Sequence, residues 1–154
     1  MIAVIQRVKR ASVEIDGKIS GQCGKGLMIL LGVAEGDSEN DAELLAAKIS
    51  KLRIFSDGEG KMNLSVKDVD GEMVVVSNFT LLANYVKGNR PDYFGAAAPD
   101  EANKLYEYFG SLVEKEVRHV GYGEFRADME VTIVNDGPVT IVMDSKMLGH
   151  KKNS

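Results

Sequence analysis

Residues 73–82 read Met73-Val74-Val75-Val76-Ser77-Asn78-Phe79-Thr80-Leu81-Leu82. A methionine and three valines in unbroken succession leave no strand face for water, so the segment belongs inside a sheet covered on both sides. Ser77, Asn78 and Thr80 follow at once around Phe79. Polar groups at the rim of a core strand must be hydrogen-bonded or face a cavity, because burying them unpaired is costly. The run is thus a rigid support whose end is a candidate site.

Upstream, Ile2 to Val8 and Ser12 to Ile15 are apolar or alternating, and Asp16-Gly17 ahead of Lys18-Ile19 is a type I′ hairpin signal. Arg7 sits inside the first of these runs, either as an edge residue reaching for water or as a cation held in a site. The glycines of GQCGKG (21–26) lack the Gly-Lys-Ser/Thr ending of a phosphate loop and lead into the apolar strand Leu27 to Val33, so they are read as a turn. Ser38 with Asp41 three residues later marks a helix start. Ala42, Leu45, Ile49 and Leu52 then give one buried stripe. Arg53-Ile54-Phe55 is a short extended segment, and 56–63 a glycine-bearing loop.

Downstream, 83–99 shows no periodicity, yet Tyr85, Tyr93 and Phe94 stand among Lys87, Gly88, Arg90 and Pro91. Such a stretch either packs on its own aromatics or offers them, with the cations, to a nucleotide. Asp100 after Pro99 begins a second helix, with Ala102, Leu105, Phe109 and Leu112 at helical spacing and Tyr106 and Tyr108 flanking the stripe. Gly121-Tyr122-Gly123 does not extend to a dinucleotide fingerprint. Met129 to Val134 and Val139 to Met143 form two strands joined at Asn135-Asp136-Gly137-Pro138, which on its own reads as a hairpin turn. The tail from Lys146 is polar, basic and frayed, and His150 within it is no site candidate.

With 154 residues and no linker or repeat, the chain reads as one domain over 1–145 followed by the tail 146–154. The fold class is α+β, a curved, largely antiparallel sheet or open barrel with two amphipathic helices on one side. The single Cys23 is a small apolar filler, and neither disulfides nor a metal cluster is indicated, which fits a reducing, cytoplasmic setting. The apolar start of the chain is too short for a membrane span. A net charge of −4 argues against a general nucleic-acid coat protein but leaves room for a local basic patch at one RNA end.

Catalytic sets are missing from the sequence. His119 is read as an exposed or capping residue, so no Ser-His-Asp order can be drawn. An enzyme built from these residues works by positioning and by hydrogen bonds, with the strand-end N–H groups around Phe79 and Thr80 as donors to a developing oxyanion.

SNFTLL at 77–82 resembles the Ser-Gln-Phe-Thr-Leu motif of the D-aminoacyl-tRNA deacylases, and NDGPVT at 135–140 resembles their Asn-x-Gly-Pro-x-Thr motif. The opening IQRVKRASV, the segment RIFSDGEGKMNLSV at 53–66 and GNRPDYFGAAAPDEA are similar as well, so the resemblance spans residues 1 to 145. It implies a cytoplasmic homodimer, without metal or cofactor, that hydrolyses the ester between a D-amino acid and the 3′-terminal adenosine of tRNA. It further implies a cis Gly137-Pro138 peptide whose carbonyls reach into the partner subunit's pocket and exclude the Cβ of an L-amino acid. Glycine, with no Cβ, would pass.

Carried over by position, the resemblance makes Thr80 the candidate catalytic hydroxyl, with Ser77 and the Phe79 backbone shaping the pocket. Gly137, Pro138, Asn78, Arg7 and Thr140 form the substrate-binding and chirality-filter set, in which Arg7 braces the Gly137-Pro138 loop. A threonine without an adjacent base is a weak nucleophile, which favours backbone donors and the terminal ribose 2′-OH over Thr80. Asn78 replaces the usual Gln, and Asp92 stands where Ser is common. Two rivals differ in kind: a binding module of the same fold without turnover, and a relative with a trans Gly-Pro that accepts L-amino acids.

Overall fold

The computed structural model describes residues 1–149. Strand β1 (Ile2–Ile15) reverses at Asp16 and Gly17 into β2 (Lys18–Cys23), and β3 (Gly26–Gly32) follows. Both turn residues have positive φ, 51° and 77°, as a type I′ turn requires. Next come helix α1 (Glu39–Lys51), the short strands β4 (Phe55–Ser56) and β5 (Met62–Leu64), and β6 (Glu72–Ser77), which runs into a 3₁₀ turn over Phe79–Leu82. Helix α2 (Pro99–Val113), β7 (Val120–Tyr122), β8 (Glu130–Asp144) and a last 3₁₀ turn, Ser145–Met147, complete the order.

The main sheet runs β2-β1-β3-β6-β7, with β8 on the other side of β1. Residues 2–8 of β1 pair with β3 and residues 11–15 with β2, so one long strand carries two neighbours in series on one side and β8 on the other. The pairs β3–β6 and β6–β7 are parallel and the rest antiparallel. At the far edge β7 returns towards β2: Ser20 Oγ donates to the Tyr122 carbonyl at 2.9 Å, and His119 Nε2 to the Gln22 carbonyl at 2.8 Å. Two glycines permit this approach. A Cβ on Gly21 would stand 2.4 Å from the Tyr122 nitrogen, and one on Gly121 2.7 Å from the Gln22 nitrogen. The sheet therefore nearly closes into a barrel, and the α+β class and open-barrel shape read from the sequence hold.

Both faces of β6 are buried. Met73 and Val75 join Leu27, Ile29, Leu45 and Phe109 in the cluster beneath the two helices, while Val74 and Val76 join Val8, Val13, Met28 and Cys23 on the opposite side. Met73, Val74 and Val75 are fully buried, as an unbroken apolar run demands. The Asp41 carboxylate accepts the Ser38 N–H at 2.8 Å at the start of α1, half of a capping box. In α2, Tyr106 lies inside the buried stripe rather than beside it, and its hydroxyl donates to the Val75 carbonyl at 2.8 Å. Burial pushes that hydroxyl well above the usual phenol range. No helix among the described residues is long and apolar enough to cross a membrane.

Four local expectations are corrected. Gly21 lies in β2 and Gly26 in β3, leaving Gly24 and Lys25 as the turn, because the two glycines are needed for close strand approach rather than reversal. The expected loop 56–63 is the tip of the β4–β5 hairpin. The two strands expected around Asn135-Pro138 run in one direction along the same β1 neighbour, so this stretch is an excursion and not a hairpin. Asn135 faces Val8 and Thr140 faces Gln6, five steps along β8 against two along β1; the surplus residues bulge outward. Finally, Lys146 and Met147 belong to a 3₁₀ turn and Leu148 packs on the core, so the tail is not frayed from its start. His150 and the rest of the tail lie outside the described residues.

Gly121→Ala is expected to cost about 2 kcal/mol or more, since its Cβ meets backbone that cannot yield. Gly58→Ala, where a Cβ meets nothing within 4 Å, should be neutral or slightly stabilising; urea midpoints of the two variants test the contrast. Burial pushes the Cys23 thiol up to about 11, so at pH 8 only about one thiol in a thousand is thiolate. Native protein should therefore react with iodoacetamide far more slowly than urea-unfolded protein, and the native rate should rise with pH towards 11.

Candidate active site

The end of β6 opens onto a cleft of about 1040 Å³ on the helix side of the sheet. Ser77 has the same strand parity as Met73 and Val75 and so follows them to that side. The cleft floor is Ser77, Asn78 and Phe79, and the end of α2, with Ala102 and Leu105, closes one wall. A second wall is made by 33–37 and 96–98, where Ala97 N–H donates to the Val33 carbonyl at 3.0 Å and Glu35 N–H to the carbonyl of the adjoining Gly95 at 2.9 Å. Alanines 34, 96, 97 and 98 line this wall, and their small side chains are what leaves the space.

The 3₁₀ turn sits close over β3 because residue 32 is glycine: a Cβ there would meet Leu82 Cδ2 at 2.6 Å. Asn78 N–H donates to the Leu31 carbonyl at 2.8 Å, extending the ladder one residue past β6. The Asn78 side chain turns back as the cap, accepting the Thr80 N–H at 3.2 Å and the Thr80 hydroxyl. The Thr80 amide, expected as an oxyanion donor, is thereby taken by Asn78. The Phe79 N–H is left: among the described residues no protein group accepts from it. Phe79 is half exposed, with Tyr93 edge-on at 4.9 Å. Thr80 is exposed beside the cleft, and His119 lies at the other end of the sheet on β2. Among the described residues no group of three or more His, Cys, Asp and Glu side chains gathers as a metal site.

The other motif forms a separate cluster. Arg7 does not reach for water: its side chain is only 14% exposed. Its Nε donates to the Asp136 carbonyl at 2.8 Å and Nη1 to the Ile54 carbonyl at 2.6 Å. The Asn135 amide donates to the Arg7 carbonyl at 2.9 Å and to the Val139 carbonyl at 3.1 Å, so the excursion is clamped at both ends. The Gly137-Pro138 peptide is cis. A Cβ on Gly137 would fall 1.9 Å from the Val139 nitrogen, so only glycine fits. Thr140 Oγ1 accepts from Gln6 Nε2 at 3.1 Å on the exposed face.

These two clusters do not meet within one chain. The excursion leaves the sheet at the row Asn135–Val8–Gly26–Glu72, whereas Ser77 stands in the row Met143–Ala3–Leu31–Ser77. Five residues of strand separate these rows, roughly 16 Å, and three separate the Ser77 row from the row where the excursion rejoins at Thr140–Gln6, roughly 10 Å; β1 and β3 lie between, another roughly 14 Å across, and neither Gly137 nor Pro138 lines the cleft.

Other lining residues were not singled out from sequence. Phe125, Arg126 and Met129 belong to the connection between β7 and β8, and Arg126 is held at φ 68°. A non-glycine residue at positive φ marks a place where tertiary contacts over-determine the backbone; the aperiodic stretch 123–128 was the one available signal. Asp37 was missed too. Its Oδ2 accepts the Ala34 N–H at 2.7 Å and the Met1 ammonium at 2.7 Å, and both partners are nearly fully buried. The ammonium also donates to Ser145 Oγ at 2.9 Å, whose hydroxyl donates to Asp41 at 2.7 Å. Burial raises the Asp41 pKa, but the Ser38 amide, the Ser145 hydroxyl and the terminal ammonium outweigh it and hold the carboxyl below its ordinary value.

The model of the D-Tyr-tRNA(Tyr) deacylase family matches residues 4–144. A D-aminoacyl-tRNA deacylase of Dehalococcoides mccartyi is 57% identical over 146 residues, 95% of each chain. One of Anaeromyxobacter dehalogenans is 53% identical over 148 residues, 96% of this chain and 99% of the relative. Among solved structures, the c-Myc DNA Unwinding Element Binding Protein superposes with a TM-score of 0.88 at 40% identity, covering 94% of this chain and 98% of its own. A probable eukaryotic D-amino acid tRNA deacylase shares the fold, with a TM-score of 0.78 at 16% identity, over 93% and 98%.

Asp37→Asn should leave a buried ammonium without its counter-charge and cost about 3 kcal/mol. A lower urea midpoint at unchanged slope is the expected reading, against a change within about 0.5 kcal/mol for the exposed neighbour in Glu35→Gln.

Proposed function

The chain belongs to the D-aminoacyl-tRNA deacylase family, and we propose that it frees tRNA from D-amino acids at the cleft around Phe79, in a homodimer whose partner supplies the Gly137-Pro138 loop. The observation that carries this reading is the Phe79 N–H at the first position of the 3₁₀ turn, without an acceptor among the described residues, in a cleft walled by alanines and aromatics. The ester joining the amino acid to the terminal ribose lies with its carbonyl oxygen against that N–H. Water adds to the carbonyl carbon, and the charge that develops on oxygen strengthens the hydrogen bond in the transition state more than in the ground state. The ribose 2′-OH passes a proton from the water to the 3′-oxygen as the C–O bond breaks, yielding D-amino acid and tRNA.

Thr80 has a supporting part in this scheme. Its hydroxyl is donated to Asn78 and no base stands by it among the described residues, so it fixes the cap and the cap fixes the turn. Asn78 reaches Thr80 with its shorter side chain and does not need the longer Gln for that purpose.

The separation of the two clusters supports the dimer. Pro138 lies at least roughly 10 Å along the strands and roughly 14 Å across them from its own cleft, but a two-fold axis brings the loop of one copy to the cleft of the other. The outer edge of β8 carries no strand among the described residues, and Val142, 71% exposed, extends the apolar row Leu30–Val4 on one sheet face. The carbonyls of Gly137 and Pro138 then fill the space an L-side chain would need, while a D-amino acid or glycine fits. Arg7 keeps the loop in place through the Asp136 carbonyl. The reaction belongs in the cytoplasm, where tRNA is charged.

A second reading comes from the related structure described as a DNA unwinding element binding protein. A binding module would hold tRNA equally whether charged or not and would release no amino acid.

One tRNA charged in parallel with a D-amino acid, its L-enantiomer and glycine separates these readings. We expect the D-ester and glycyl ester to be cleaved at catalytic enzyme concentration and the L-ester spared; cleavage of none favours the binding module, and cleavage of the L-ester removes the filter. Thr80→Ala should keep activity within about tenfold of wild type, as loss of a supporting hydrogen bond implies; a fall to background would restore Thr80 as nucleophile. Arg7→Met, which keeps bulk but loses the carbonyl contact, should narrow the ratio of D- to L-ester rates.

A further inference from the structure

We infer that the loop from Tyr85 to Pro91 is a docking platform for the single-stranded nucleotides preceding the terminal adenosine of the substrate RNA, with Tyr85 as the stacking surface and Lys87 and Arg90 as phosphate partners. The inference rests on the deacylase reading and extends it to the RNA beyond the ester.

The loop is built to stand out and hold its shape. At its base, Asn84 N–H donates to the Asp92 carbonyl at 2.8 Å and Asp92 N–H to the Asn84 carbonyl at 2.9 Å. The Asn84 amide donates to Asp92 Oδ2 at 3.2 Å, Asn84 Oδ1 accepts the Val86 N–H at 3.2 Å, and Asp92 Oδ1 accepts the Phe94 N–H at 3.3 Å. Gly88, at φ 70°, takes the left-handed conformation at the apex that other residues avoid. A pinned base lowers the ordering cost of binding.

What the loop displays is unusual for a surface turn. Tyr85 is 77% exposed and Val86 83%, so the alternative of a loop packed by its own aromatics does not apply to them; only Tyr93, below the base, packs against Phe79. The segment carries Lys87 and Arg90 and no carboxylate in a chain of net charge −4. Neither cation has an acidic partner among the described residues. The Asp92 carboxylate is occupied at the base. An exposed aromatic beside unpaired cations is the combination that holds single-stranded nucleic acid, the ring taking a base face and the cations the phosphates.

Position completes the case. Tyr93 and Phe94 line the cleft and directly follow Asp92, so platform and cleft are continuous. Seven residues between the paired Asn84 and Asp92 cannot carry the tip further than about 12 Å from the base. A strand whose last nucleoside enters the cleft must therefore leave past this loop or away from it, and the charge favours passage across it.

The test compares two substrates, D-aminoacyl-tRNA and 3′-O-(D-aminoacyl)adenosine, with wild type, Tyr85→Ala and the double variant Lys87→Ala/Arg90→Ala. All three positions are exposed and away from the core, so folding is not at risk. We expect kcat/KM on the tRNA ester to fall about tenfold in Tyr85→Ala, as loss of one base stack implies, with the adenosine ester unchanged. The double variant should lose tRNA activity and flatten the log–log salt dependence by about 1.4, two contacts at about 0.7 each. Unchanged tRNA turnover overturns the platform. So do equal losses on both substrates, which make the loop part of the cleft wall, and loss of the dimer in sedimentation with substrate selectivity intact, which makes it a protein interface. If wild type cleaves neither ester, the deacylase reading itself has failed and the platform falls with it.

Discussion

The structure depends on the burial of β6 on both faces. A strand sealed by helices on one side and by the second apolar cluster on the other cannot shift register without exposing valines. Its end is therefore fixed, and so is whatever the chain does next. Asn78 continues the ladder by one bond, caps the following turn with its side chain, and leaves the Phe79 N–H on a rigid frame with no acceptor among the described residues. Preorganisation of this kind costs no reorganisation during reaction. In the proposed reaction it lets a cleft serve ester hydrolysis without a nucleophile and base of its own.

The long strand β1 plays the complementary part. By pairing β3 and β2 in series on one side and β8 on the other, it holds both halves of β8 in a single line and forces the surplus residues of 135–139 outward. Arg7, partly buried at the point where the pairing is interrupted, satisfies carbonyls that the ladder leaves open. The loop is thus as fixed as the cleft, yet the sheet keeps them apart. In the proposed dimer that distance becomes useful, because the partner's loop and the cleft are then positioned by two rigid sheets rather than by flexible segments.

Glycine supplies the tolerances. Gly21 and Gly121 let the barrel close, Gly32 lets the 3₁₀ turn settle on β3, and Gly137 lets the clamped excursion turn back. Each removes a clash of Cβ with atoms that cannot move. The buried Met1 ammonium with Asp37 ties the cleft wall to the end of β8 through Ser145, a coupling between distant parts of the chain that only the folded state creates.

Sequence by itself determined the elements with strong local signals. Periodicity marked both helices, an unbroken apolar run marked β6 as doubly buried, Asp16-Gly17 marked the first hairpin, and two short motifs marked the family. These depend on neighbours within a few residues, which is why they were legible. Tertiary structure decided the rest: that Asn135–Pro138 bulges from a strand instead of reversing it, that Gly21 is a contact point rather than a turn and meets its counterpart at Gly121, that Asn78 takes the Thr80 amide, and that Asp37, Phe125, Arg126 and Met129 belong to the cleft. Each of those depends on which backbone lies opposite, and that is set by strand pairing between residues far apart in the chain.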